Sequence, residues 1–419
     1  MNKNESNKNM ELTEITDDLT GAADSSSYFT ARGKAVKICI SGITEFDRSE
    51  NEILSINLSS RNITKEEARL RHFELFRRLR VQDKSFILKK IGTGFRGNDS
   101  MELCGLLEAA TEYVVFVIDN APDLGTFTLY GHQYCEGEIL TKSLYAHDPI
   151  MPPTESYIPS ILGQESKVPI GLVDIDAVKK GKIAQETGKN ISNGCRIIVF
   201  DAITKKDTIE IIKTLYPIYK KVFWTGSLGI ADGIAQYFFG SWQKHHFKIR
   251  TLKCLGFCAS AYEIAKKQIA LSSERGLQIT EIDIDECIDG DEHTVINAVI
   301  SKAKKQLSYG NVMVVPNVKK YSYHLEASKK IMEVISAVSK ELCRENFDRL
   351  VVVGGETSQN IFSAINTNHL QLGLPLQAGV AQGTIIDGML AGREFSLKGG
   401  SMGQADAIEK MLCRCEVYY

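Results

Sequence analysis

Short runs of β-branched and other apolar residues alternate along the chain with longer stretches whose apolar positions recur every three or four residues. Strand-length runs fall at Lys37–Ser41, Phe86–Ile91, Val114–Ile118, Ile170–Val173, Arg196–Phe200, Lys221–Trp224, Thr251–Phe257, Gln278–Ile282, Asn311–Val315 and Arg349–Val353. Between them, Lys65–Val81 carries Ala68, Phe73, Phe76 and Leu79 among Arg and Glu, and His324–Cys343 carries Ala327, Ile331, Val334, Ile335 and Val338. Both spacings predict amphipathic helices. The alternation is that of βα units and predicts an α/β chain of two domains with mostly parallel sheets.

The rhythm breaks at Gly240–Arg250 (GSWQKHHFKIR), and a fresh series of strands begins at Thr251. That places an N-terminal domain over residues 10–240 and a C-terminal domain over 251–419. A second irregular stretch, Ala146–Gly171, holds five of the nine prolines and reads as an ordered crossing loop. The pair His245-His246 lacks a carboxylate or Cys at ligand spacing, so no metal site is assigned to it or elsewhere.

Composition narrows the classes. The 419 residues are 43% hydrophobic and 24% charged, which are globular proportions, and the length suits two or three domains with real cores. Fifty Lys and Arg against 52 Asp and Glu give a net charge of -2, and that balance argues against nucleic acid as a partner. The ten cysteines show no C-x-x-C spacing and read as buried thiols of a reducing compartment. A polar N-terminus and apolar runs of strand length predict no signal peptide and no membrane span, hence a cytoplasmic protein.

Ligands of open α/β sheets bind beyond the carboxyl ends of strands, and four segments have that character. In LTEITDDLTGAAD (12–24), Asp17 and Asp18 follow an apolar run and precede a helix; either could accept a hydroxyl proton, while Asp18 or Thr20 could equally serve only as a helix cap. In FILKKIGTGFRGN (86–98), a strand enters a glycine-rich turn with Lys90, Arg96, Gly97 and Asn98, and Ser60-Arg61 upstream could add a cation for a carboxylate. RLVVVGGETSQNIFSA begins at Arg349 and stops its strand at Gly354-Gly355 before a helix starting near Thr357, where free N–H groups would face a phosphate. FSLKGGSMGQADAIEKML (395–412) repeats that plan with Gly399, Gly400 and Gly403, and with Lys398 at its mouth. No Walker A sequence, nucleophile elbow, H-E-x-x-H or G-x-G-x-x-G occurs, so the residues point to phosphoryl transfer between an anion-binding N-terminal half and a phosphate-binding C-terminal half.

Together with SSRNITKEEA (59–68), the Asp148-Pro149 region, VFDAITKKD (199–207), TGSLGIA (225–231) and LGLPLQAGVAQGTI (372–385), these segments resemble the four-carbon acid sugar kinase family over nearly the whole chain. The resemblance implies an ATP- and Mg²⁺-dependent kinase with its active site in the interdomain cleft, acting on the terminal hydroxyl of acids such as threonate, erythronate or 3-oxo-tetronate. It implies catalysis at Asp17 and Asp18, and substrate binding by Thr20, Arg61, Lys90, Arg96, Gly97 and Asn98. Nucleotide contacts would come from Ser260, Gly354, Gly355, Glu356, Thr357, Gly400 and Gly403. The partner expected is a small hydroxy acid, with a homodimer as a candidate assembly.

Two segments depart from the family pattern, at three positions. KIGTGFRG has Gly92 where an aspartate is usual and Gly94 where a threonine is usual, and APDLGTFT has Thr126 where an arginine is usual. A hydrogen bond to a charged group is worth roughly 1.5–3 kcal/mol, so the losses leave two readings open: an active kinase with an altered substrate, and a nucleotide-binding relative without catalysis.

Overall fold

A strand covered on both faces reads as an unbroken apolar run, and most runs of the first half become such strands. The computed structural model describes residues 11–41, 52–79, 85–147, 152–242, 246–321 and 325–418; His245 and Asp148-Pro149 lie outside them. In chain order the first strands are β1 (Leu12–Thr16), β2 (Val36–Cys39), β3 (Ile53–Asn57), β4 (Phe86–Lys90), β5 (Val114–Val117), β6 (Thr126–Leu129), β7 (His132–Cys135), β8 (Glu138–Ile139), β9 (Ile170–Val173), β10 (Ile197–Phe200) and β11 (Val222–Gly226). The chain forms two units, one from residues up to Val36 with Gly42–Trp242, the other from Lys37–Ser41 with Gln243–Tyr419.

The sheet of the first unit runs β3-β1-β4-β11-β5-β10-β9. Every pairing in it is parallel. Aromatic side chains fill its faces: Phe86 stacks on Trp224 at 5.5 Å, and Phe116 meets Phe200 edge-on at 5.3 Å. Helix α1 (Leu19–Thr30) is buried except at Tyr28, which its run of Gly, Ala and Ser makes feasible without bulky side chains. Two of the neighbouring hydroxyls, Ser26 and Ser55, donate at 2.6 Å to Glu14 in β1, a carboxyl that burial pushes up.

Helix α2 (Lys65–Arg78) begins at Thr64, whose hydroxyl accepts from Glu67 N–H, and carries acids in its first turn and arginines in its last. It packs on α3 (Asp99–Ala109) so closely that a Cβ at Gly105 would fall 2.2 Å from the Arg69 carbonyl oxygen. The predicted helix over 65–81 stops earlier because Leu79 turns to extended geometry. The loop expected over 146–171 contains a short helix, Ile158–Gly163, with Pro in its first turn. The hairpin strands β6, β7 and β8 form a separate antiparallel sheet.

In the second unit the strands are β12 (His246–Thr251), β13 (Cys254–Cys258), β14 (Gln278–Asp283), β15 (Val312–Asn317), β16 (Arg349–Val353), β17 (His369–Leu372), β18 (Val380–Ile385), β19 (Glu394–Lys398) and β20 (Cys413–Tyr418). Their order is β14-β15-β13-β16-β19-β18-β17, parallel as far as β19 and antiparallel thereafter. Beside β17 lies the segment 37–41, with Ile40 N–H donating to the Asn368 carbonyl at 2.8 Å. The single strand expected over 251–257 splits after Thr251: the Lys253 N–H turns to the Asp348 carboxylate at 2.9 Å. Strands β12 and β20 pair with each other as a two-stranded sheet. Buried Arg349 spans β16 and β19 through Glu394 at 2.7 Å. All nine described cysteines are free, seven of them buried.

Candidate active-site residues

The carboxyl ends of β1, β3 and β4 lie side by side, and three sequence-predicted segments leave from them. Asp18 caps α1: its carboxylate accepts the Gly21 N–H at 3.0 Å and the Thr20 hydroxyl at 2.6 Å. Arg61 forks across both aspartates, Nε to Asp17 Oδ2 at 2.6 Å and Nη2 to Asp18 Oδ1 at 2.8 Å. The loop holding Arg61 is fixed from both sides. Asp17 accepts the Ser60 and Arg61 backbone N–H groups at its own carbonyl, and Asn98 Nδ2 donates to the carbonyls of Ser60 (2.8 Å) and Ile63 (2.9 Å).

Glycines make room for the arginine. A Cβ at Gly92 would lie 3.3 Å from Arg61 Nη2, and one at Gly97 would lie 3.5 Å from Arg61 Cγ. Lys90 reaches over the first turn of α1, where a Cβ at Gly21 would stand 2.6 Å from its Nζ. This lysine is only 4% exposed, and its ammonium makes no hydrogen bond or ion pair with the described residues. Its charge acts on the carboxyls of Asp17, Glu14 and Asp119, which offset the cost of burying a cation. Thr20, Arg61, Lys90, Gly97 and Asn98 thus gather around Asp17 and Asp18. Arg96 is aimed differently, with Nε donating to the Thr93 carbonyl and its guanidinium 4.9 Å above the Tyr145 ring.

The two aspartates differ in access: the Asp17 side chain is 1% exposed and that of Asp18 is 12%. Burial pushes the Asp17 carboxyl up, yet the charges of Arg61, Lys90 and Lys89 outweigh it and hold the group well below the usual carboxylate range. The Arg61 guanidinium, half-buried between two carboxylates, is correspondingly raised.

Beneath this surface lies a buried layer that sequence reasoning missed. Lys89 points to the opposite face of β4 from Lys90 and pairs with Glu102 of α3 at 2.7 Å; Glu102 also accepts the Ser60 hydroxyl at 2.5 Å. His72 of α2 stands 3.7 Å from Glu102, and burial together with the Lys89 charge lowers it to about 4. Asp99 is raised well above its ordinary value by burial, then by Glu102 and Asp17, and neither of its oxygens finds a hydrogen-bond partner. Two adjacent lysines in an otherwise apolar strand were the available signal, since one of them must enter the interior and find a partner.

In the second unit, the adjacent parallel strands β13, β16 and β19 each end in a predicted turn. Helix α4 (Glu263–Glu274) follows β13, and helix α5 (Gly355–Ala364) follows β16, capped by Gly354 at φ 112°. A Cβ at Gly354 would fall 2.9 Å from Thr357 Oγ1, and the Gly354 N–H donates to the Lys398 carbonyl at 2.9 Å. Ser260 stands against Gly400, where a Cβ would come within 2.0 Å of its hydroxyl oxygen. Burial raises the Glu356 carboxyl. The structure therefore links Gly354 with Thr357, and Ser260 with Gly400.

Lys398 departs from its expected place at the mouth of the turn: it is buried, and its ammonium donates to the carbonyls of Gly399 and Met402, both at 3.0 Å. Gln268 of α4 completes the restraint by donating to the carbonyls of Gly403 (3.0 Å) and Gln404 (2.7 Å). These two side chains hold the turn containing Gly400 and Gly403, a role the sequence does not mark. No group of three or more His, Cys, Asp or Glu able to hold a metal occurs among the described residues.

Residues 12–234 match the family described as a sugar-binding N-terminal domain, and residues 255–408 match the nucleotide-binding C-terminal domain. The chain belongs to the four-carbon acid sugar kinase family. Among its relatives are a 3-oxo-tetronate kinase of Methylobacterium radiotolerans, 24% identical over 95% of this chain and 97% of the relative, and a D-threonate kinase of Bordetella bronchiseptica, 21% identical over 94% and 95%. A D-erythronate kinase of Heliobacterium modesticaldum is 23% identical over 96% of each. The same fold occurs in a crystal structure from Salmonella typhimurium titled a putative tRNA synthase (TM-score 0.78, 18% identity, 96% of this chain and 98% of that one). A Haemophilus influenzae protein shares it as well (TM-score 0.72, 19% identity, 95% and 98%). No helix among the described residues is long and apolar enough to cross a membrane.

Proposed function

We propose that this member of the four-carbon acid sugar kinase family transfers the γ-phosphoryl group of ATP to a hydroxyl of a four-carbon sugar acid of the threonate, erythronate or 3-oxo-tetronate class. The observation that carries the reading is the convergence of two cations, Lys90 and Arg61, on the Asp17–Asp18 carboxylate pair at the carboxyl ends of adjacent strands. A carboxylate on the substrate is attracted by these cations, and a hydroxyl on the same molecule comes to the aspartates.

Asp18 is the carboxylate placed at the reacting hydroxyl, because it retains solvent access that Asp17 lacks. Asp17, ionised and enclosed, fixes Arg61 and the Ser60–Arg61 backbone. In the transfer, a bond forms between the substrate oxygen and the γ-phosphorus, the bond from that phosphorus to the β,γ-bridging oxygen breaks, and the hydroxyl proton passes to Asp18. Three donors fix the Asp18 carboxylate in place, which suits a reaction whose transition state is loose and whose rate comes mostly from positioning.

The glycine turns after β16 and β19, with Ser260 and the first turn of α5, suit the phosphates of the nucleotide: backbone N–H groups are offered where side chains are absent. Mg²⁺ bound with the nucleotide would neutralise the charge of its phosphates. Free, mostly buried thiols and the use of ATP fit a cytoplasmic enzyme.

The alternative of nucleotide binding without catalysis draws on Gly92 and Thr126. Thr126 is fully buried in β6, its hydroxyl on the Ala121 carbonyl, and Gly92 borders an Arg61 already paired with two carboxylates. Neither position removes a member of the Asp17–Arg61–Asp18 group, which favours retained catalysis. The test is a coupled ADP-release assay with Mg-ATP against three- to six-carbon hydroxy and keto acids. Turnover on a four-carbon acid is expected; ATP binding with no turnover on any of them would move the assignment to the non-catalytic reading.

A further inference from the structure

The turn that carries Arg96 is built in a backbone conformation that needs outside support. Gly94 and Phe95 both take positive φ, 82° and 51°, the second without a glycine's freedom. The turn closes on itself through Phe95 N–H to the Gly92 carbonyl at 3.1 Å and Arg96 Nε to the Thr93 carbonyl at 3.1 Å. Its cover comes from the segment Leu140–Ala146, over which the sequence predicts no strand or helix. There the Ser143 hydroxyl donates to the Leu140 carbonyl at 2.8 Å and accepts the Tyr145 N–H at 3.3 Å, so the segment is internally fixed.

From this cover the Tyr145 ring lies on Gly94, where a Cβ would meet its Cγ at 3.2 Å and its Cδ2 at 3.3 Å, and fully buried Leu140 closes the same spot at 3.5 Å. The same ring takes the Arg96 guanidinium 4.9 Å from its centroid. One aromatic side chain thus holds down the turn and sets the plane of its arginine. We propose that Tyr145 is a positioning residue for the acid substrate, acting through Arg96, and that Gly94 is required because any side chain there displaces the ring. The inference rests on the proposed function and takes Arg96 as a contact of the acid, as the family resemblance implies.

The test is a set of variants assayed with Mg-ATP and D-erythronate, D-threonate and 3-oxo-tetronate, with acid binding also followed by calorimetry. Tyr145→Ala is expected to raise the KM and Kd of the acid by about ten-fold, the scale of one desolvated cation–π contact with its orientation, while kcat and the KM of ATP stay unchanged. Tyr145→Phe keeps the ring and restores the wild-type values. Gly94→Ala reproduces the loss although the tyrosine is present. In an Arg96→Ala background, Tyr145→Ala is expected to add nothing, because the pair acts as one unit. Unchanged acid KM in Tyr145→Ala, or an undiminished effect in the Arg96→Ala background, would overturn the inference while wild-type turnover left the kinase reading intact. A wild-type protein that neither binds nor phosphorylates any of the three acids would remove that reading, and the inference with it.

Discussion

The two candidate sites of this chain are built from different materials. In the first unit the working groups are side-chain charges: Asp17, Asp18, Arg61 and Lys90, with Lys89, Glu102, Asp99 and His72 buried beneath them. In the second the working groups are backbone: Gly354, Gly400 and Gly403, held in place by the amide of Gln268 and the ammonium of Lys398. A charge-built site discriminates by complementarity and fails when one charge is removed. A backbone-built site tolerates loss of side chains and fails when a Cβ is added.

The sharpest way to break that contrast is Asp18→Asn, which keeps a helix cap and removes the proton acceptor. kcat is expected to fall by about 10²–10⁴-fold with the KM of ATP unchanged, read by steady-state kinetics. An unaltered kcat would take the proton acceptor away from Asp18. On the other side, Gly400→Ala introduces a methyl 2.0 Å from the Ser260 hydroxyl oxygen. Nucleotide affinity is expected to drop by up to about a hundred-fold, measured by titration with a non-hydrolysable ATP analogue, with acid binding unaffected. Equal losses in both affinities would mean that the turn is not dedicated to the nucleotide.

The smallest effect concerns stability. His72 is lowered from 6.5 to about 4 by its burial and by Lys89, so below pH 6.5 the unfolded chain takes up a proton that the folded chain refuses. Stability from this group is therefore complete above pH 6.5 and is lost progressively as pH falls toward 4, by about 3 kcal/mol in all. Both tryptophans, Trp224 and Trp242, lie in the first unit, so the urea midpoint read by their fluorescence reports the unit that holds His72. Between pH 7.5 and 5 the wild type is expected to lose more of that midpoint than His72→Gln. Parallel curves for the two proteins would place the histidine outside the buried layer.

How much of this was legible follows from the same contrast. Strand β16 coincides with its predicted run, Arg349–Val353, because a strand buried on both faces leaves an unbroken signal. The Asp-Asp pair, the glycine turns and Arg61 were visible because each lies just beyond an apolar run that reads as a strand or beside such a segment. Segment 37–41 reads as an ordinary strand, and nothing local tells that it joins the second unit. Lys398 misleads for a related reason: its distance from the turn is short in sequence, but its charge is spent on carbonyls of the turn itself. The Lys89–Glu102 pair and Tyr145 depend on contacts between distant segments, which neither periodicity nor spacing encodes.

The most direct measurement is ³¹P NMR of the wild-type protein with Mg-ATP and a four-carbon acid, D-erythronate first and then D-threonate and 3-oxo-tetronate. The expected result is a new phosphomonoester resonance that grows as the γ-phosphate signal of ATP falls, and that Asp18→Asn does not produce. Conversion of ATP to ADP and inorganic phosphate alone, or an unchanged spectrum with all three acids, would contradict phosphoryl transfer to a sugar acid.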